Sequence, residues 1–227
     1  MRPLRIGSAL IAALALAACG HSRAPGPSAA PPKPPPKHHT VVNPANIKRV
    51  VRELPPHYEV TTGIPGGASP RVIWSLEADA TAKPAQCASL ADPGEGSDQS
   101  AQGLSGSGTG GIVDAVVVAL AGPVQLDPGL VAACDRWSMS DAHTTARVRL
   151  TDAPHVEDAA TVGMVTDTRS SVESGTEIDS RTYTFIAYLG NYYAFTTLTT
   201  DPGSALPALP PQFAADLLVK TVSTLRG

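Results

Sequence analysis

Four of the five tyrosines and two of the three phenylalanines in this 227-residue chain fall between Tyr183 and Phe195, and no other feature constrains the fold as much. Two alternating runs, Ser180 to Leu189 and Tyr192 to Thr200, read as strands. Between them Gly190-Asn191 suits a two-residue type II′ turn with Gly first. Pairing Leu189 with Tyr192 sets the register. One face then carries Tyr183, Phe185, Ala187 and Leu189 with Tyr192, Ala194, Thr196 and Leu198. The opposite face carries Ile186, Tyr188, Tyr193 and Phe195, so both faces near the turn need cover.

Two amphipathic segments are available to supply it. From Pro211, the residues Phe213, Ala214, Leu217, Leu218, Val222 and Leu225 form one helical stripe, with Asp216, Lys220 and Arg226 mostly off it. Near the other end Asn43-Pro44 offers a cap and a first helical residue. Ile47, Val50, Val51 and Leu54 then recur at helical spacing before Pro55-Pro56 ends the run. The closing helix covers one aromatic face. Either the Ile47 helix covers the other, or that face is left as an aromatic wall that meets a ligand or partner through Tyr188, Tyr193 and Phe195.

The remaining strand candidates are Tyr58 to Thr62, Arg71 to Leu76 with Trp74 in the core, Ile112 to Leu120, Thr144 to Leu150 and Thr161 to Thr168. With no regular βαβ alternation, the pattern predicts an α+β fold: a twisted, largely antiparallel sheet with N-terminal and C-terminal helices packed on it. Asp92 to Gly111 is rich in Gly, Ser, Asp and Gln and reads as a surface loop.

Upstream of this domain the chain carries an address. Arg2 and Arg5, the apolar run Ile6 to Ala18 and the small residues before Cys19 form an export signal. The apolar run is shorter than the roughly 20 residues a bilayer span needs. A cysteine directly after Leu16-Ala17-Ala18 makes this a lipobox, with Cys19 as the lipid-modified first residue of the mature protein. Seven prolines between 20 and 43 then make an extended tether of up to roughly 70 Å, at about 3.1 Å per residue. The expected organisation is a signal peptide at 1–18, a tether at 19–42 and one globular domain at 43–227. Arg23, Lys33 and Lys37 make the tether basic, whereas the chain from Pro44 onward has 12 basic and 20 acidic residues, a net of −8. The tether suits anionic headgroups, and the acidic domain argues against a nucleic-acid surface.

Cys87 and Cys134 are the cysteines left after Cys19, and an even pair in an exported domain reads as a disulfide closing a loop of 47 positions. A catalytic thiol or metal pair has no CxxC spacing and no clear histidine partner here. His38-His39 supplies too few ligands for a metal. Gly106 to Gly111 has the letters of GxGxxG but is followed by the β-branched apolar run 112–120 instead of a helix, which refuses a nucleotide reading. His143 beside Asp141 is better explained by turn chemistry than by a base with its orienting carboxylate. With no GxSxG, HExxH or P-loop, neither an enzyme nor a cofactor is expected.

The segments Pro84 to Pro93 around Cys87, Gly106 to Val113, Cys134 with Trp137, Asp152 to Pro154, Thr161 to Met164, Tyr188 to Gly190, Asp201 to Ser204 and Leu217 to Gly227 resemble mycobacterial exported lipoproteins classed as a domain of unknown function. More distantly, the layout is similar to the extracellular sensor domain of PknH-type mycobacterial kinases, a helix-flanked sheet with a cleft assigned to a ligand. Those domains have two disulfides, whereas this chain has cysteines for one. The resemblance implies an extracytoplasmic compartment and a shape, and carries over no catalytic residue. The expected function is that of a ligand-binding or sensor-like module, lipid-anchored at Cys19 on the extracytoplasmic face of the cell membrane. Its ligand would be apolar or amphipathic; the alternative is an envelope protein–protein interaction component.

Overall fold

A computed structural model describes residues 41–64, 69–172 and 175–227. The signal, Cys19 and the tether up to residue 40 lie outside the described residues, as do 65–68 and 173–174. The described residues form a nine-stranded sheet in which every pairing is antiparallel. In chain order the strands are β1 (Glu59–Thr62), β2 (Thr81–Lys83), β3 (Gln99–Gly108), β4 (Gly111–Leu120), β5 (Arg136–Ser140), β6 (Thr144–Thr151), β7 (Ala160–Ser171), β8 (Glu177–Tyr188) and β9 (Tyr192–Thr200). Their order across the sheet is β1-β3-β4-β9-β8-β7-β6-β5-β2, so the aromatic hairpin β8–β9 sits near the middle.

The hairpin register is the predicted one: Tyr188 faces Tyr193, Ile186 faces Phe195, and the Leu189 N–H donates to the Tyr192 carbonyl at 2.8 Å. Gly190 takes φ of 75°, which the first central residue of a type II′ turn requires and which a side chain would strain. The hairpin's two faces lie in separate cores. Phe185, Ala187, Leu189, Ala194 and Leu198 pack with the C-terminal helix α4 (Pro211–Arg226). Ile186, Tyr188, Tyr193 and Phe195 pack with Trp74, Leu90, Trp137 and the two cysteines.

The cover on these faces differs from one sequence expectation. The segment Pro44–Glu53 is a 3-10 helix, capped by the Asn43 side chain accepting from the Ala45 N–H at 3.1 Å. Ile47 and Val50 are buried in the same core as α4, so the Ile47 helix does not reach the opposite face. The two helices adjoin: the Asn43 N–H donates to the Leu225 carbonyl at 2.8 Å, and Lys220 pairs with Glu53 at 2.8 Å. The Thr196 hydroxyl donates to the Ala214 carbonyl at 2.7 Å, pinning α4 to the sheet.

The other face is roofed by short helical turns. Arg71 to Leu76, predicted as a strand, contains instead the turn α1 (Pro70–Ile73), with Pro at its start and Ser75 in the left-handed region just beyond its end. The turn drops Trp74 into the core, 1% exposed, where its indole N–H donates to the Thr184 hydroxyl at 3.1 Å. A 3-10 turn (Ala85–Cys87), α2 (Ala88–Ala91) and α3 (Pro128–Ala133) complete the roof.

Asp92 to Gly111 is likewise corrected, because residues 99–108 form β3 between β1 and β4. Its glycines permit close approach. A Cβ on Gly106 would lie 2.7 Å from Leu54 Cδ1, one on Gly110 2.7 Å from Leu209 Cγ, and one on Gly108 would run into the Tyr58 ring. The GxGxxG letters therefore mark a hairpin between two strands whose backbone is covered by large side chains.

A carboxylate buried in the sheet gives a pH-linked prediction. Asp114 on β4 is 4% exposed and accepts from the Thr197 hydroxyl at 2.7 Å. Burial raises its pKa, which the hydrogen bonds from Thr197 and Ser105 only partly offset. A carboxyl whose folded pKa lies above its unfolded one costs stability at neutral pH, and the cost is relieved as pH falls through the folded pKa. Asp114→Asn, which still accepts from Thr197, is expected to raise the melting temperature at pH 7 by roughly 3 °C. It should also flatten the pH dependence of stability on the acid side of neutrality; thermal melts across that range check both.

Candidate functional site

An open groove of about 530 Å³ lies beside the turn end of the hairpin, with Tyr188 among its lining residues. Residues 85–95 form one wall, including Leu90 and Glu95, and residues 124–130 form the other, including Leu126, Asp127 and Leu130. Local chemistry sets each wall. In the second, Asp127 caps α3 by accepting from the Gly129 N–H at 2.8 Å, and Pro128 takes the first helical position. The Leu120 and Val124 N–H groups donate to the Asn191 and Gly190 carbonyls at 2.9 and 2.8 Å, fixing this wall to the hairpin turn. In the first, Leu90 from α2 is fully buried.

One covalent bond links the walls. The Cys87 and Cys134 sulfurs are 2.05 Å apart and their Cα atoms 5.8 Å apart. Cys87 precedes α2 in the first wall and Cys134 ends α3 in the second, so the bridge ties together two segments distant in sequence.

Behind the first wall Arg71 and Asp92 form a largely buried ion pair, with the exposed Glu95 at its edge. The Arg71 guanidinium pairs with Asp92 at 3.1 Å and with Glu95 at 3.8 Å, and donates to the Ala78 carbonyl at 3.1 Å. Burial raises the Asp92 pKa, and Arg71 pulls it only part of the way back. The Tyr193 hydroxyl donates to Gln99 Oε1 at 3.4 Å.

The three predicted aromatic site residues divide. Tyr193 and Phe195 are fully buried and stack on each other with ring centroids 6.1 Å apart, so they are core and offer a ligand no surface. Tyr188 is 7% exposed and borders the groove. Its hydroxyl has no hydrogen-bond partner among the described residues, and burial pushes its pKa up, keeping it a neutral hydroxyl. The ring is buried while the hydroxyl oxygen keeps some solvent-accessible surface at the groove.

Asp141 is occupied structurally. Its carboxylate accepts from the backbone N–H groups of Glu77, His143 and Thr144 at 2.8, 2.8 and 2.7 Å. Slight burial raises its pKa, but those three donors together bring it below the usual carboxylate value. A second, smaller hollow of about 290 Å³ lies over the charged end of β6, β7 and β8. There Arg181–Asp167 and Arg169–Asp179 pair across strands at 2.6 and 2.9 Å. Such exposed pairs are screened by solvent and add little to stability. Among the described residues, no three His, Cys, Asp or Glu side chains group as a metal ion requires, and no helix is long and apolar enough to cross a membrane.

Fold and site together define an α+β domain built on one antiparallel sheet, with a disulfide-tied groove at the turn end of its central hairpin. The chain belongs to the family described as domain of unknown function DUF5642, whose model matches residues 43–226. It is similar in fold to an uncharacterized protein of Mycobacterium smegmatis, the Rv0999 ortholog. The two share 21% identity over 83% of this chain and 100% of that one, with a TM-score of 0.62. The extracellular domain of PknH from Mycobacterium tuberculosis matches at 14% identity over 82% of this chain and 92% of that one, with a TM-score of 0.41. No curated protein matches the chain.

Sequence reasoning missed the groove because its walls are two short segments, neither of which alone has a binding signature. It also missed strands β2 and β5, which are three and five residues long.

Proposed function

We propose that this protein is a lipid-anchored, non-enzymatic binding module on the extracytoplasmic face of the cell membrane, and that it receives an apolar or amphipathic envelope ligand in the Tyr188 groove. The observation that carries the reading is the groove itself, bordered by the largely buried Tyr188 and with Leu90, Val124, Leu126 and Leu130 in its lining. Apolar walls with a few placed polar groups are what small-molecule sites share, and the volume lies within their range of roughly 300–1,000 Å³. The lipobox supplies the anchor, and the proline-rich tether sets the domain off the bilayer surface. A non-enzymatic role is supported by Asp141, the carboxylate nearest in sequence to His143, being spent on three backbone donors.

The ligand reading is tested by organic extraction of the purified full chain and mass analysis of what is released. Wild-type protein should yield a bound small molecule that a Leu126→Asp variant of equal thermal stability lacks. Equal recovery from both, or recovery from neither, would refute the groove as the site. The anchor is tested separately. Cys19→Ala is expected to move the protein from the membrane to the soluble fraction or leave an uncleaved precursor, as seen by fractionation with intact-mass measurement. An abundant unacylated wild-type form in the medium would contradict the anchor.

A further inference from the structure

We infer that the domain lies with one side of its sheet, the side that carries α4, against anionic phospholipid headgroups, held there by Arg147, Arg149 and Lys83. The inference rests on the membrane anchor of the proposed function and not on the groove. On this side α4 and the 3-10 helix 44–53 pack over β3, β4, β9 and β8. Beyond them the sheet is bare: Thr145, Arg147 and Arg149 of β6 and Arg136 and Ser138 of β5 are exposed. Alternation places them there, because Ala146, Val148, Trp137 and Met139 face the opposite core. Lys83, Ser138 and Arg147 form one row across β2, β5 and β6, and Arg136 sits directly opposite Arg149. Like charges facing each other across strands cost stability, so this arrangement calls for an anion. Arg136 has Asp135 at 3.5 Å, and Arg169 and Arg181 have Asp179 and Asp167. Among the described residues, the Arg147, Arg149 and Lys83 side chains have no ion pair or hydrogen bond.

Charge is partitioned across the sheet. Of the 12 basic residues from Pro44 onward, Arg71 alone belongs to the roof; the rest are carried by the 3-10 helix, by α4 or by strand positions of the α4 side. The carboxylates Glu53, Asp167, Glu177 and Asp179 on those elements are paired with Lys220, Arg181 and Arg169. The roof segments 70–79, 85–98 and 127–133 hold Glu77, Asp79, Asp92, Glu95, Asp98 and Asp127 against a single arginine. The net charge of −8 from Pro44 onward would by itself be repelled by an anionic surface. Distance decides otherwise. Packed layers are roughly 10 Å apart and exposed charges are screened beyond about 8 Å at physiological ionic strength, so a surface touching the α4 side meets its arginines and not the roof carboxylates. Guanidinium groups also match phosphate oxygens bidentately. The chain's point of entry favours a membrane over a soluble polyanion. Val42 packs in the core beneath α4 and the Asn43 N–H donates to the Leu225 carbonyl, so the segment leading back to Cys19 joins the domain on this same side. The groove, built from roof segments, then faces away from the headgroups.

The full chain on vesicles of phosphatidylcholine alone, or of equimolar phosphatidylcholine and phosphatidylglycerol, tests this. Arginines are modified with phenylglyoxal and carboxylates with a carbodiimide, and both are mapped by mass. Modification of Arg147 and Arg149 is expected to fall severalfold on the anionic vesicles alone and to recover as salt is added, while labelling of Glu95 in the groove is the same on both. Arg147→Gln with Arg149→Gln should reduce the preference for anionic over neutral vesicles by about tenfold to thirtyfold and leave the melting temperature unchanged, both side chains being exposed. Retention on neutral vesicles reports the anchor separately. A chain that stays on both vesicles with Arg147 and Arg149 equally reactive keeps the anchor and overturns the docked face. Protection on anionic vesicles without retention on neutral ones supports the face and overturns the anchor, and binding to neither overturns both. Protection that follows protein concentration without lipid would assign the face to a second copy of the chain, and protection of Glu95 instead would put the roof on the membrane; either overturns the inference.

Discussion

Replacing both Cys87 and Cys134 with serine is expected to lower the unfolding free energy by roughly 4 kcal/mol, the chain-entropy value for a loop of 47 positions. For a domain of this size that is a fall in melting temperature of roughly 10 °C. Both cysteines are fully buried in the core that also holds Trp74, Trp137, Tyr188 and Tyr193, so the serines also place hydroxyls among apolar side chains. The damage should not be uniform. The strands around β8 and β9 are held by backbone pairing on both sides, whereas the groove walls are four- and six-residue helical turns that are marginal on their own. Hydrogen exchange at 85–95 and 124–134 should therefore accelerate well before exchange in β8 and β9. Wild-type stability in the double variant, or free alkylatable thiols in the native wild-type protein, would contradict the bridge.

Phe195→Ala and Tyr193→Ser are each expected to cost about 3–5 kcal/mol, the usual range for truncating a fully buried aromatic. Neither side chain has solvent-accessible surface, and each also loses the stacked partner 6.1 Å away. Tyr188→Phe removes only an oxygen that has no partner in the described protein, so it should leave the denaturation midpoint within about 0.5 kcal/mol of wild type. The contrast separates core from site within one hairpin. Chemical denaturation of the three variants measures it; a Tyr188→Phe cost as large as the other two would mean that the hydroxyl is structural.

The sequence carried the centre of the fold more clearly than its margins. The β8–β9 register was legible because its alternation is strict and Gly190-Asn191 admits few turns, and the α4 stripe because it runs for four turns. One element of the roof was misread for physical reasons. Arg71 to Leu76 is β-branched and aromatic, which matches strand propensity, yet Pro70 at a helical first position and the positive φ of Ser75 close it into a single turn. Residues 99–108 look like a loop because Gly, Ser and Gln have poor strand propensity. Their strand is specified by neighbours instead, with β4 on one side and Tyr58 and Leu54 lying against the glycines. Assigning the Ile47 helix to the aromatic face failed because periodicity tells which stripe is buried but not which side of a sheet receives it. Of the groove, only Tyr188 stood out, since the opposing walls meet through a cysteine pair 47 positions apart.

The groove between residues 85–95 and 124–130 is where we propose that this protein meets its ligand. Photolabelling of the full chain with an equimolar set of cationic, neutral and anionic diazirine-bearing alkyl amphiphiles, followed by peptide mapping, tests it directly. Label concentrated on those two segments, and diminished in the Leu126→Asp variant, is the predicted result. Label spread over α4 and the charged ends of β6 to β8, or unchanged by Leu126→Asp, would contradict it.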